Sequence, residues 1–544
     1  MLRNIFKSKS LLLSNKNTFN FSNSLFLKGG TVVNVDLEEK ADVLIKNGKI
    51  IQVGDIKPPV DAKVIDATGK FVMPGGIDTH THMQLPFMGT VAVDDFNLGT
   101  RAAIAGGTTS ILDFVIPAPG KSLIGAYEQW QNWAKDKVNC NYGFHIAITS
   151  WLENTEQELA QLVQKEGIQS FKVFLAYKGA FSLGNEGLIK VMEAAKKLGA
   201  IVMAHCEDAE LIYRNQQHLL KLGVTGPEGH YLSRNQEVEG LGTRTMITIA
   251  DQIGSPVYVV HVQSKVAVDE VNRARSLGMQ TYGETLVTGF TCDGKMIRDK
   301  DFKKAASFVM SPPINPDTTT HEYLLNNLQC GNLHTIATDN CTFCSDTKKG
   351  FGENDFTKIP NGCNGIEDRM NITWTKAVNE GYFTRQDYVR LTSYNAAQIF
   401  NLYPRKGAIR AGSDADVIIL DPKAEKIISA KTHHQAVDTN VFEGMHCKGL
   451  VTSTILNGDL VYHEGVLSTK QGSGQYLKRE PFGYPFQRTA AIDARRDPVK
   501  QKVDRSGTPE PPAPTREEME TLQKQVDLLA KENKQLKSKL ETSQ

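Results

Sequence analysis

Eight short apolar segments, each followed by a stretch with helical periodicity, constrain the fold of this chain more than any other feature. Five of them carry or end in a side chain that binds metals in proteins, and the other three cover residues 108–117, 142–149 and 279–286. Such segments predict repeated βα units, and eight units predict a (β/α)8 TIM-like barrel of the α/β class. The catalytic groups of such a barrel lie at the carboxyl ends of its strands.

A His-x-His pair follows the first segment, within Met73-Pro-Gly-Gly-Ile-Asp-Thr-His-Thr-His-Met83. Residues two apart on a strand point to the same side, so His80 and His82 present two imidazoles to one point, as a transition metal requires. Taken alone, the pair is equally consistent with two surface histidines. Four later segments also carry ligand-type residues, namely Lys172, His205, His261 and Asp339. Together these segments favour a metal-dependent barrel hydrolase.

A lysine in this set needs a chemical reason, because an ammonium group has no lone pair for a metal. Lys172 lies between Phe171 and Val173, and burial lowers the pKa of a lysine. The neutral amine reacts with carbon dioxide to give a carbamate, whose two oxygens can each bind one metal. The alternative is a strand lysine that reaches solvent; the neighbouring histidines and aspartate favour the carbamate.

Strand-and-turn patterns flank the predicted barrel, which spans residues 73–405. Residues 25–72 contain Asn47-Gly48 and residues 406–470 contain Asn457-Gly458, and each dipeptide is a hairpin signal. We expect the two flanks to pair as a small β-sandwich. Residues 471–500, rich in Pro, Gly and aromatic residues, are typical of an extended arm.

A Pro-rich linker, residues 501–515, precedes a predicted coiled coil over residues 516–542. Leucine at every d position and one asparagine at an a position favour a parallel two-stranded coiled coil that pairs with a second copy. The alternative is an amphipathic helix docked on its own chain. The a positions are Met519, Val526, Asn533 and Leu540, and the d positions are Leu522, Leu529 and Leu536.

The composition of the chain limits which binding partners and which cellular compartment are expected. The net charge is +1, from 62 basic and 61 acidic residues, so no nucleic-acid partner is expected. No apolar run reaches the roughly 18–20 residues of a transmembrane helix, so no membrane partner is expected either.

Residues 1–24 are basic, free of acidic residues and rich in hydroxyl side chains, which is typical of a mitochondrial transit peptide. The alternative is a disordered tail on a cytoplasmic enzyme; a secreted protein is not expected.

Eight motifs between about residue 25 and about residue 490 occur in an order that resembles one enzyme family. They are His80-Thr-His82, Ser170-Phe-Lys-Val-Phe-Leu-Ala-Tyr-Lys178, Ala204-His205, His261-Val-Gln263, Met310-Ser-Pro-Pro313, Ala337-Thr-Asp339, Lys358-Ile-Pro-Asn-Gly362 and Gly365-Ile-Glu-Asp-Arg369. The chain is similar in these motifs to the dihydropyrimidinase and hydantoinase family, the cyclic amidohydrolases of the amidohydrolase superfamily.

The resemblance implies a site with two zinc ions in each subunit of a homotetramer. His80, His82 and Asp339 would hold one ion, His205 and His261 the other, and carboxylated Lys172 would bridge them. Tyr177 would donate a hydrogen bond to the developing oxyanion, and Asp339 would transfer the proton. Ser311 and Asn361 would hold the imide edge of the substrate, largely by backbone groups.

The segment after the His-x-His pair bears on the substrate. Relatives that open a ring with a carboxylate place an arginine there, whereas this chain has Met83, Gln84, Leu85 and Pro86. A small neutral cyclic amide is therefore expected, and the resemblance implies 5,6-dihydrouracil and dihydrothymine. One alternative is a hydantoinase acting on 5-substituted hydantoins. The other is a scaffold similar to the collapsin-response-mediator proteins, which lack the metal ligands that this chain has.

Overall fold

The computed structural model describes residues 24–496, 502–503 and 513–541 of the chain. The chain divides into two compact units, one ending at Ala490 and the other beginning at Ala491. The predicted transit segment, apart from Ser24, and most of the predicted linker lie outside the described residues. No helix in the described part of the chain is long and apolar enough to cross a membrane.

A barrel of eight parallel strands, counted over the described residues, forms the centre of the first unit. Each strand pairs with the next in sequence order, and a parallel bridge between Thr81 and Asn340 brings the eighth strand beside the first. The predicted (β/α)8 barrel is therefore confirmed. Its strands are Gly76–Thr81, Thr108–Val115, Asn141–Ala147, Ser170–Phe174, Ile201–His205, Val257–Val259, Thr281–Leu286 and Thr335–Ala337.

Helices alternate with the barrel strands, and several begin directly after a predicted ligand. Asp208, three residues after His205, caps a helix by accepting a hydrogen bond from the backbone N–H of Leu211. Ser264, three residues after His261, caps the next barrel helix in the same way. The α-helices of this unit are Leu98–Ala105, Leu123–Ala134, Thr155–Glu166, Gly184–Leu198, Ala209–Lys221, Glu228–Ser233, Gln236–Ile253, Lys265–Ser276, Phe302–Ser307, Thr319–Gln329, Ser345–Gly352, Arg369–Thr373, Arg385–Val389 and Asn395–Ile399. A further helix, Thr489–Arg496, spans the boundary between the two units. Single turns of 3₁₀- or π-helix are Val287–Phe290, Gly294–Arg298, Phe356–Lys358, Trp374–Val378, Arg390–Tyr394 and Tyr484–Phe486.

The two flanking segments pair with each other beside the barrel, as expected. Strand Val417–Ile427 runs antiparallel to strand Phe71–Pro74, which joins strands from both flanks into one sheet. Val43, Ile45 and Ile419 lie in the hydrophobic core that this pairing creates. The other strands of the sheet are Ser24–Val33, Glu38–Lys46, Lys49–Gly54, Lys63–Asp66, His446–Leu456, Asp459–His463 and Val466–Leu467, and a separate hairpin joins Pro86–Phe87 to Thr90–Val91.

Both predicted hairpin turns are present. Asn47 and Gly48 have φ of 52° and 76°, and Asn457 and Gly458 have φ of 51° and 88°. Positive φ at both central residues is what a two-residue turn between twisted strands requires, and asparagine and glycine tolerate it.

The second unit contains the helix Arg516–Glu541. It begins with a capping box, because the hydroxyl and backbone N–H of Thr515 donate to Glu518 while the backbone N–H of Glu518 donates back to the Thr515 hydroxyl. Of the predicted seam, Met519, Leu522, Val526 and Leu529 are between 52% and 62% exposed. The helix is present, and its pairing into a coiled coil stays a prediction.

Candidate metal centre and active site

The ligand-type residues predicted from sequence meet in one pocket at the carboxyl ends of the barrel strands. Because parallel strands end at the same edge of a barrel, residues far apart in sequence converge there. The lining includes His80, His82, Lys172, His205, His261 and Asp339.

Three of these residues form a tight group. The Nε2 atoms of His80 and His82 lie 3.2 Å and 3.0 Å from Oδ1 of Asp339. One donor atom from each residue lies within 4.8 Å of the others, a spacing that fits a single metal ion. Two imidazoles and a carboxylate are donors that zinc accepts.

His205 and His261 lie on the other side of this group. Their ring centroids are 4.5 Å apart, and the His261 ring is 5.3 Å from that of His80. Burial lowers the pKa of His205, His261 and His80 below its ordinary value, which keeps each imidazole neutral and able to bind a metal. Nδ1 of His261 is buried and has no hydrogen-bond partner among the described residues. The donor set therefore fits a metal-binding site.

Lys172 is buried in the fourth barrel strand. Its ammonium nitrogen lies 4.8 Å from the centre of the Phe114 ring and 5.3 Å from that of Phe174. Burial lowers the pKa of Lys172 to about 8, so about a tenth of the amine is neutral at pH 7 and the neutral fraction grows as the pH rises. A neutral amine is the form that reacts with carbon dioxide.

Glu284, on the seventh barrel strand, is a functional residue that sequence reasoning missed. Its Oε1 lies 2.8 Å from Nδ1 of His80 and accepts the backbone N–H of His261 at 3.1 Å. Its Oε2 accepts the hydroxyl hydrogens of Thr79 and Tyr258 at 2.6 Å and 2.8 Å. A carboxylate only accepts, so Nδ1 of His80 carries the proton and Nε2 faces Asp339. The available signal was a carboxylate within a predicted buried strand.

A second buried carboxylate, Glu207, supports His205 and was also missed. Its Oε2 lies 2.7 Å from Nε2 of His205, which leaves Nδ1 of that ring for a metal. Nη1 of Arg234 donates to the same oxygen at 3.3 Å. The signal for Glu207 was its position two residues after a predicted ligand, whereas nothing in the sequence singled out Arg234.

The predicted substrate-binding residues lie on the opposite wall. Nδ2 of Asn361 donates to Oγ of Ser311 at 3.0 Å, and the Tyr177 hydroxyl interacts with both side chains. Burial raises the pKa of Tyr177, so its hydroxyl stays protonated and can donate. Tyr177, His261 and Asp339 have φ of 64°, 39° and 52°, values that are rare outside glycine and that cluster at functional sites.

The rest of the pocket is apolar. Phe87 packs against Tyr177 and Phe181 with ring centroids 5.8 Å and 6.3 Å apart. Phe87 therefore lines the pocket, whereas the adjacent Met88 is not among the described lining residues. Among the described residues that line the pocket, Lys172 is the only lysine or arginine, so the pocket suits a neutral ligand.

A parallel barrel whose strand ends bring together histidines, an aspartate and a buried lysine defines a metal-dependent hydrolase. The model of the amidohydrolase family matches residues 71–461, and this chain belongs to that family. It is thus a cyclic amidohydrolase by class, as the sequence motifs predicted.

Individual relatives agree with this assignment. The dihydropyrimidinase of Dictyostelium discoideum is 48% identical over 89% of this chain and 96% of its own length. The crystal structure of a dihydropyrimidinase from Brevibacillus agri superposes with a TM-score of 0.83 at 39% identity, covering 85% of this chain and 99% of that one. A crystal structure of a D-hydantoinase gives 0.83 at 41% identity, covering 85% and 100%.

Proposed function

We propose that this chain catalyses the reversible hydrolytic ring opening of 5,6-dihydrouracil and dihydrothymine to N-carbamoyl-β-alanine and N-carbamoyl-β-aminoisobutyrate, a step of pyrimidine catabolism. The observation that carries the proposal is the convergence of His80, His82, Lys172, His205, His261 and Asp339 in one pocket that also holds the polar groups of Tyr177, Ser311 and Asn361 and a set of apolar side chains. The names of the dihydropyrimidinase relatives support the choice of substrate.

The proposed cofactor is a pair of zinc ions. His80, His82 and Asp339 would hold one ion, His205 and His261 the other, and Lys172, carboxylated on its amine, would bridge them. When bound, the pair supplies Lewis acidity and lowers the pKa of water, so that a nucleophile forms at neutral pH. The orientation of His80 by Glu284 and the neutral state of the histidines support this arrangement.

The side chains of the pocket would act on the substrate in three ways. Tyr177 donates its hydroxyl hydrogen to the oxygen that becomes negative as the ring carbonyl is attacked. Asp339 accepts a proton and returns it to the leaving nitrogen. Although burial raises the pKa of Asp339, its contacts with His80, His82 and Lys172 outweigh burial and hold that pKa below its ordinary value, so the carboxylate is ionised. Ser311 and Asn361 hold the imide edge.

The substrate assay separates this proposal from its alternatives. We expect purified full-length protein, loaded with zinc in the presence of bicarbonate, to contain about two zinc ions per subunit and to lose activity on chelation. Dihydrouracil should be hydrolysed faster than dihydroorotate, because the described pocket lining holds no lysine or arginine besides the bridging Lys172 that could pair with a carboxylate. Faster turnover of dihydroorotate contradicts the proposal, and metal-free protein that stays inactive after zinc and bicarbonate treatment favours the scaffold alternative.

Hydantoinase activity is the second candidate function. The D-hydantoinase structure supports it, because that structure superposes with a TM-score of 0.83, equal to that of the dihydropyrimidinase structure. The apolar wall at Phe87 and Phe181 would face a substituent at ring carbon 5. Comparing kcat/KM for dihydrouracil and for a 5-substituted hydantoin ranks the two activities.

We also propose that the chain forms a homotetramer and that helix Arg516–Glu541 pairs in parallel with the same helix of a second copy. In-register pairing sets Asn533 against Asn533, where the amides hydrogen-bond each other, and brings Glu532 at g near Lys537 at e. An antiparallel pair aligned over the same heptads sets Asn533 against a leucine, which leaves the amide without a partner. The exposed seam supports self-pairing.

Disulfide trapping in the full-length chain tests this pairing. Asn533→Cys should give a cross-linked dimer under mild oxidation, whereas Lys524→Cys, at the outward f position, should not. Leu529→Glu at d should abolish the cross-link, and Leu528→Glu, the outward neighbour that is 59% exposed, should retain it. Equal cross-linking at both cysteine positions would exclude the in-register seam.

For the location we propose the mitochondrial matrix or the cytoplasm. The basic, acid-free composition of residues 1–24 supports the first. A fluorescent protein fused behind this segment should enter mitochondria if the segment is a transit peptide, and should remain in the cytoplasm if it is a tail.

A further inference from the structure

Arg234 is a buried cation that neither the proposed metal set nor the proposed substrate contacts include. It follows the short helix Glu228–Ser233, and only 4% of it is exposed. A buried guanidinium is costly unless its charge is paired and its hydrogens are bonded. Arg234 therefore has a role that compensates for this cost.

The contacts of Arg234 join two parts of the site. On one side, its Nη1 donates to Oε2 of Glu207 at 3.3 Å, and that oxygen also accepts from Nε2 of His205 at 2.7 Å. On the other side, the same Nη1 donates to the hydroxyl oxygen of Ser311. One guanidinium thus lies between the carboxylate that orients a predicted metal ligand and a predicted substrate-binding residue.

The hydroxyl of Ser311 acquires a defined direction from these contacts. A serine oxygen has two lone pairs and one hydrogen. Nη1 of Arg234 donates to one lone pair and Nδ2 of Asn361 donates to the other at 3.0 Å, so the hydrogen is left to donate. Nε2 of His230 lies 3.5 Å from the same oxygen, but this nitrogen donates to the backbone carbonyl of Met310 at 2.7 Å and does not accept the hydrogen of Ser311. Within the described structure the Tyr177 hydroxyl is beside it, on the pocket wall. Ser311 is therefore held as a hydrogen-bond donor and recognises an acceptor.

We propose that Arg234 is a positioning residue that fixes Ser311 as a donor to a carbonyl oxygen of the bound ring. This inference rests on the proposed function for the identity of the ring. Arg234 contacts no reacting atom, so its loss should weaken substrate binding more than it slows the chemical step. Glu207 still accepts from His205 without it, so zinc should be retained.

The test compares Arg234→Gln with Arg244→Gln in the zinc-loaded full-length protein. Arg244 is an arginine of the next helix whose side chain is 59% exposed and pairs with Glu270, so its loss should leave kinetics unchanged. Arg234→Gln should raise the KM for dihydrouracil roughly 10–100-fold, the scale of one charge-assisted hydrogen bond, with a smaller change in kcat. Its zinc content should match that of the unmodified chain.

Two further variants tie the effect to Ser311. Ser311→Ala should raise KM similarly, and the double variant should show much less than the product of the two effects, because both changes remove one interaction. Arg234→Lys should restore part of the affinity, since one ammonium replaces the charge but not the fork of donors. If Arg234→Gln misfolds, this conservative variant and Ser311→Ala still measure the coupling.

The outcomes separate the two proposals. Unmodified protein that binds zinc but does not hydrolyse dihydrouracil contradicts the proposed function. Active unmodified protein with an additive double variant, or with zinc loss in Arg234→Lys, overturns the positioning role of Arg234 and leaves the proposed function intact.

Discussion

Glu284 contacts two predicted ligands at once, since one of its oxygens lies beside the His80 ring and also accepts the backbone N–H of His261. The other oxygen is held by Thr79 and Tyr258. This carboxylate is buried and saturated with donors, so it fixes the tautomer of His80 and the direction of its free lone pair. Residues that hold a ligand in place affect metal binding nearly as strongly as the ligands themselves.

Glu284→Gln should therefore weaken zinc binding roughly 10–100-fold without removing any ligand. Glu284 accepts hydrogens through both of its oxygens, but a glutamine amide has only one oxygen. Its NH2 group would therefore face either His80 and the backbone N–H of His261 or the hydroxyls of Thr79 and Tyr258. Zinc titration of the apoprotein measures the effect, with Glu193→Gln on the exposed face of helix Gly184–Leu198 as the control. Unchanged zinc affinity in Glu284→Gln would contradict the orienting role.

Tyr177→Phe should retain zinc but lower turnover by roughly 10²–10³, the scale of one lost oxyanion donor. The ring remains and can still pack against Phe87, so only the hydroxyl is removed. Steady-state kinetics and zinc analysis on the same sample test this, and Tyr213→Phe, at a tyrosine that is 49% exposed, is the control. Parallel loss of zinc and activity would assign Tyr177 a structural role instead.

At the scale of elements, the sandwich supports the strand that presents the His-x-His pair. Strand Phe71–Pro74 pairs with Val417–Ile427 in the sandwich, and one residue later the chain begins the first barrel strand, Gly76–Thr81. The linking Gly75 lies so close to the second barrel strand that an added Cβ would be 2.2 Å from Oγ1 of Thr109. The direction of the first barrel strand is therefore set by the flanking sheet on one side and by the second barrel strand on the other.

The two hairpin turns of the sandwich also meet each other. A Cβ on Gly458 would lie 2.9 Å from Cα of Gly48, whereas one on Gly412, which has a similar φ of 92°, would meet nothing within 4 Å. Gly412→Ala should therefore lower the free energy of unfolding by roughly 1–2 kcal/mol through backbone strain alone. Gly458→Ala should cost more, because strain and collision add. Chemical denaturation measures both, and equal losses would show that the contact between the turns is unimportant.

At the scale of the whole molecule, the candidate site draws its ligands from five barrel strands that span residues 76–337. A site of this kind exists only when the barrel is folded, so metal binding and folding are linked. A ligand that binds the folded chain but not the unfolded chain raises the free energy of unfolding, and the increase grows with the logarithm of the ligand concentration.

Zinc should accordingly raise the Tm of the apoprotein. When free zinc is about 100 times the Kd, its binding should add about 2.7 kcal/mol to the free energy of unfolding. Lys172→Ala should lose the two-metal site and most of this shift. Lys178→Ala, six residues along and at a side chain that is 44% exposed, should keep both. Thermal unfolding with and without zinc tests the prediction, and a full zinc shift in Lys172→Ala would contradict the bridging role of Lys172.

Much of this protein was determined by local sequence alone. The apolar runs followed by helical stretches predicted the barrel, the Asn-Gly dipeptides predicted the hairpins, and strand periodicity placed His80 and His82 on one face. These signals are local, because strand alternation, turn conformation and the chemistry of a ligand are properties of a few adjacent residues.

Tertiary structure alone decided which distant groups hold those ligands. Glu284 and Arg234 become part of the site only because the barrel brings separate strands and loops to one edge, whereas Glu207 lies two residues from the His205 that it supports. A buried carboxylate or arginine looks the same in sequence whether it supports a ligand, caps a helix or pairs at the surface. Its partner is fixed by barrel closure, which joins residues more than 200 positions apart, such as His80 and Glu284, and sequence spacing carries no record of that distance.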